Sequence, residues 1–62
     1  MKYHALLQQA AAEQFKLHIV CKDGISVIGV AEQYENGYIK LRFDDGLMYI
    51  SYMEIEKPFK IK

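Results

Sequence analysis

The stretch Lys22-Asp23-Gly24-Ile25-Ser26-Val27-Ile28-Gly29 decides how the chain is read. An alternating apolar run enters it, Asp-Gly turns the chain, and a run rich in β-branched residues leaves it. Gly29 then interrupts the outgoing run, and a glycine inside a strand marks a bulge, a sharp bend or a close backbone approach. The stretch predicts the first hairpin of a small, strongly bent β-barrel, with the bend at Gly29.

The flanking segments fit that hairpin. Residues 15–22 alternate, with Phe15, Leu17, Ile19 and Cys21 on one face and Lys16, His18, Val20 and Lys22 on the other. The second strand is expected over 25–35. Asn36-Gly37 closes a second hairpin, because its turn needs positive φ. Residues 38–43 place Ile39, Leu41 and Phe43 inward and Tyr38, Lys40 and Arg42 outward. Asp44-Asp45-Gly46 turns into a fourth strand, 47–52, that carries no charge. A short fifth strand is expected over 54–57, where Pro58 limits the ladder. Upstream, residues 3–14 are rich in Ala, Leu and Gln and read as a helix with a Tyr3, Leu6, Leu7, Ala10, Gln14 stripe. No Ser, Thr, Asp or Asn caps its start. The prediction is one domain over 1–62: mostly β (α+β), a helix followed by five strands, with Gly24, Gly29, Gly37 and Gly46 as structural turn and bend positions.

Composition limits the function. A 62-residue chain buries only about 60% of its unfolded surface and usually needs a staple. One cysteine, Cys21, allows no internal disulfide, and His4, His18 and Cys21 lack zinc spacing. Self-association remains, and the 52% hydrophobic content favours it. No nucleophile is placed beside a base, so no enzymatic activity, cofactor or metal is expected. The lone thiol, the lack of a signal-peptide pattern and the lack of a long apolar run predict a cytoplasmic protein with no membrane partner. Net charge is zero but uneven. Residues 1–22 are net +2, residues 23–56 net −5 and residues 57–62 net +3.

The helix, the Gly24/Gly29 spacing and the run Tyr34-Glu35-Asn36-Gly37-Tyr38-Ile39-Lys40-Leu41 together resemble the Sm-like family, in layout its bacterial Hfq branch. The chain is also similar to Rho-binding antiterminators, WYL domains and YolD-like proteins, which share the barrel. The resemblance spans roughly residues 3–57 and implies an Sm-like/SH3-like barrel that acts as an RNA-binding, post-transcriptional regulator and homo-oligomer. It implies RNA contact at Tyr34, Asn36, Tyr38, Lys40 and Arg42, by base stacking and phosphate pairing. It also implies that the fourth strand pairs with the fifth strand of the next subunit, which makes Met48, Tyr49, Ile50, Ser51 and Tyr52 the oligomer interface. The Tyr-Lys-His segment of Hfq proteins is replaced here by Tyr49-Ile50-Ser51-Tyr52-Met53, and Tyr3 and His4 stand where the family has Gln-Asp.

Two alternatives stand beside this. Tyr34 and Tyr38 also suit a cross-strand aromatic pair beside an ordinary Asn-Gly turn. The acidic 23–56 region suits an antiterminator-like module that binds a regulatory protein through its acidic surface instead of RNA.

Overall fold

The computed structural model describes residues 2–61; Met1 and Lys62, the two ends of the single-domain reading, lie outside them. The chain forms a helix, α1 (His4–Glu13), and five strands: β1 (Lys16–Cys21), β2 (Ser26–Glu35), β3 (Tyr38–Phe43), β4 (Gly46–Ser51) and β5 (Ile55–Lys60). The strands make one antiparallel sheet in the order β4-β3-β2-β1-β5. The fold is mostly β, of the α+β class. Its hydrogen-bonded order is open, with β4 and β5 as the two edges.

β2 organises the sheet. Its first half, from Ser26 to Val30, pairs with β1, and its second half, from Val30 to Glu35, pairs with β3. Val30 is the residue common to both ladders. Ten residues of straight strand would span about 30 Å, whereas the molecule measures 24 × 23 × 22 Å, so β2 bends. The register shift lies between Ala31 and Gln33, which makes Glu32 the inserted residue. A bulge of this kind bends a strand. The bulge thus lies at Glu32 and not at Gly29, where the bend is expected. Of the roles open to Gly29, a bulge, a bend or a close approach, it serves close approach: a Cβ there would lie 2.9 Å from Phe43 Cε1 and 3.0 Å from the Arg42 carbonyl oxygen.

The turns follow from their residues. Lys22, Asp23 and Gly24 form a three-residue loop in which the Gly24 N–H donates to the Cys21 carbonyl (2.9 Å) and Asp23 Oδ1 accepts from the Ile25 N–H (3.0 Å). Gly24 takes φ +90°, open to glycine at no steric cost. Asn36 and Gly37 take φ 55° and 78°, the two-residue turn whose twist suits a hairpin. Gly46 opens β4 opposite Phe43.

The core is Leu7 and Ala10 of α1, Leu17 and Ile19 of β1, Ala31, Ile39, Leu41, Ile50 and Ile55. The helix therefore docks on its own sheet. Tyr3 gives it no side-chain cap, and Gln14 ends it in the left-handed region (φ 55°, ψ 47°) with its N–H on the Ala10 carbonyl. The Phe15 carbonyl then accepts from the Ala31 N–H at 3.0 Å, which ties the helix exit to β2. Phe15, Cys21 and Phe43 pack against this core only half-buried.

Two expected boundaries change. β5 runs through Pro58 to Lys60, with Pro58 opposite Ile19. Proline is tolerated there because β5 is an edge strand that pairs only with β1. The fourth strand stops at Ser51, and Tyr52–Glu54 form a single 3-10 turn whose Met53 N–H donates to Ser51 Oγ at 3.2 Å. No helix among the described residues is long and apolar enough to cross a membrane.

Candidate functional site

β3 sorts the sequence-predicted residues by its alternation. Ile39 and Leu41 point into the core, so Tyr38, Lys40 and Arg42 share the outward face. Register then fixes their neighbours. Tyr38 lies between Glu35 and Ser51, Lys40 between Gln33 and Tyr49, and Arg42 between Val30 and Leu47. Three residues predicted for nucleic-acid contact thus meet Tyr49, predicted for the interface, on one surface. Tyr38 is 50% and Tyr49 61% exposed. Lys40 Nζ sits 5.9 Å from the Tyr49 ring centroid, a cation–π contact.

The charges on this face are partly matched. Arg42 Nε donates to Glu32 Oε2 at 2.6 Å, so the bulge residue of β2 holds the guanidinium. Gln33 Nε2 donates to Glu35 Oε1 along the same strand. Exposed ion pairs of this kind contribute little stability, and their main effect here is to orient Arg42 along the sheet.

Tyr34 does not join the group. The Glu32 bulge shifts the alternation of β2, so Tyr34 opposes the buried Ile39 while Glu35 opposes Tyr38. Tyr34 and Tyr38 therefore sit on opposite faces and form no cross-strand pair. Tyr34 packs on the core, its hydroxyl 3.3 Å from His4 Nδ1, with the two rings edge-on at 5.3 Å. Burial pushes its hydroxyl pKa up, and Tyr52 adds to the shift. Asn36 stays in the turn, where the Gly37 carbonyl accepts from the Tyr52 N–H at 2.7 Å.

The residues expected at the oligomer interface divide as well. Tyr49 and Met48 are exposed on the β4 edge, next to exposed Leu47. Ile50 belongs to the core opposite Ile39, Ser51 caps the 3-10 turn, and half-buried Tyr52 lies in that turn. Cys21 is half-buried and free. Burial pushes its thiol pKa up, with Asp23 and Glu54 adding to the shift. Among the described residues, no three His, Cys, Asp or Glu side chains gather as a metal site.

Sequence reasoning missed one grouping. His18 reads as a solvated strand residue, yet it is half-buried and its ring lies tilted against Phe59, centroids 5.8 Å apart. Extending β5 past Pro58 is what brings Phe59 opposite His18. An allowance for proline on an edge strand would have found this pairing.

No protein-family model matches the chain, and no curated protein matches it.

Proposed function

We propose that this chain is a small Sm-like regulator that binds single-stranded RNA on the outward face of β3 and β4 and works as a homo-oligomer. The observation that supports it most is the placement of half-buried Lys40 on one face with the exposed rings of Tyr38 and Tyr49. Exposed aromatic rings stack on unpaired bases, worth ~1–3 kcal/mol per base, and a cation between them meets the phosphate. The proposal includes a strongly bent, barrel-like curl of the five strands that leaves β4 and β5 as edges. The shared strand β2 and the three-residue link between β4 and β5 support that curl.

Self-association draws on the edges. β4 leaves Leu47, Met48 and Tyr49 exposed beside an unpaired ladder. An uncharged open edge is a template for a strand of another chain. Pairing of β4 with β5 of a second copy would cover both.

One observation favours a second reading. Glu32 engages Arg42, and Glu35 lies opposite Tyr38, so carboxylates border the face. That border suits a basic protein partner. Fluorescence anisotropy with a short unstructured oligoribonucleotide, at low and moderate salt, separates the two. RNA contact predicts affinity that falls as salt rises and weakens in Tyr49→Ala. Absence of RNA binding at low salt, with salt-sensitive binding of a lysine-rich peptide, would favour the protein-binding module.

A further inference from the structure

The opposite end of the sheet carries a second aromatic and cationic strip. Sheet order sets β5 beside β1. Register aligns Ile28 of β2, His18 of β1 and Phe59 of β5 in one row across three strands. Leu17, Ile19 and Pro58 are buried, so this row faces away from the core. Ile28 is 51% and Phe59 40% exposed, and the His18 ring lies against Phe59 at 35°.

Lysines bracket the row. Lys57, two residues from Phe59, lies opposite Val20 on the same face and sets Nζ 5.0 Å from the Phe59 centroid. Lys16 stands on the other side of His18, opposite Val30. None of the outward positions in these registers holds a carboxylate. Asp44 and Asp45 share a groove of about 570 Å³ with Lys16, Ile28 and Phe43, so the Lys16 end of the row adjoins two acids. Glu56 precedes Lys57 at the register shift between β1 and β5. Within the paired outward positions of the row itself the charges are cationic, whereas Glu32 and Glu35 border the cations of the β3 face.

We infer that the His18–Phe59 strip is a second contact surface for single-stranded RNA, with Lys57 and Lys16 as its phosphate contacts. The inference rests on the RNA-binding reading above and adds to it a surface whose paired outward positions carry cations with no facing carboxylate. Phe59 is 40% exposed, with Lys57 Nζ over its ring and His18 beside it, so a base stacking on Phe59 would take the place of the ammonium, which would turn to a phosphate. Lys57 and Lys16 are set on either side of the row, where a backbone crossing β1 would place successive phosphates. An acidic protein segment would meet the same cations, so loss of binding on removing the Phe59 ring is what separates RNA from a purely ionic partner.

The test uses anisotropy with a labelled, unstructured oligoribonucleotide and, separately, a labelled oligoglutamate peptide. The variants are Phe59→Leu, Phe59→Tyr and Lys57→Gln on the strip and Tyr49→Ala on the β3–β4 face, each with a melting curve. Phe59→Leu keeps apolar area but removes the ring, and should weaken RNA binding roughly 5- to 150-fold, while Phe59→Tyr binds as the parent does. Lys57→Gln should reduce the salt slope by about 0.7, one single-strand phosphate contact. If Phe59→Leu and Lys57→Gln bind as the parent while Tyr49→Ala weakens, the strip is overturned and the β3–β4 face stands. If the parent binds no RNA at low salt, both are overturned. If Lys57→Gln weakens only oligoglutamate binding, the strip is a protein contact and the inference fails.

Discussion

Gly29 faces Phe43 at a distance no side chain can share. A Cβ at position 29 would stand 2.9 Å from Phe43 Cε1 and 3.0 Å from the Arg42 carbonyl oxygen, and the second of these is backbone that cannot swing away. Gly29→Val should therefore separate β2 from the end of β3. Overpacking of this kind costs roughly 1–3 kcal/mol, a loss of several degrees in melting temperature for a domain of this size. A thermal melt followed by circular dichroism checks it. An unchanged melting temperature would mean that the close approach is not maintained in solution.

The helix is fastened by two fully buried side chains, Leu7 and Ala10. Leu7→Ala should destabilise by about 2–5 kcal/mol, the range for buried Leu truncations. Chemical denaturation measures it. A cost below about 0.5 kcal/mol, the size of an ordinary surface change, would show that the helix is not docked on the sheet.

Much of this architecture was legible because local signals and core periodicity agreed. Asp23-Gly24 and Asn36-Gly37 fixed two hairpins, and Leu17, Ile19, Ile39 and Leu41 kept the alternation that buries them. The failures occurred where one residue shifts a period. Glu32 has no sequence mark of a bulge, yet inserting it moves Tyr34 to the core side and breaks the expected Tyr34–Tyr38 pairing. Pro58 argues against a strand by its missing N–H, but only the sheet order reveals that β5 is an edge where that group is not needed. The candidate face was legible in part: Tyr38, Lys40 and Arg42 follow from period-two alternation. Their meeting with Tyr49 depends on the β3–β4 register, which the sequence specifies only through the Asp44-Asp45 turn.

Cys21 should be a slow thiol. Its pKa is raised from the usual 9.0 by burial, with Asp23 and Glu54 contributing. Alkylation by iodoacetamide near pH 8 should be slower in the folded chain than in denaturant, since the thiolate is the reacting form. The sign for stability follows. A thiol whose folded pKa lies above its unfolded value favours the native state below the unfolded pKa. That contribution is lost as pH rises through the folded pKa. Cys21→Ser should flatten this alkaline part of the stability profile. Equal alkylation rates in folded and unfolded chains would contradict the shift.

The exposed edge of β4 predicts association. Leu47→Lys with Tyr49→Lys places two charges on that edge, a device that blocks strand pairing. Sedimentation of the parent at micromolar concentration should give a single species heavier than one chain, and the double variant should sediment as a monomer with an unchanged far-UV spectrum. A monomeric parent would remove the edge-pairing assembly and leave Leu47, Met48 and Tyr49 without that partner.

The most direct test is the affinity of the parent protein for an unstructured oligoribonucleotide across a salt series. The RNA-binding account predicts measurable binding at low salt and a linear fall of log affinity with log salt, with a slope of about −0.7 for each phosphate contacted. No binding at low salt, or binding that ignores salt, would contradict it.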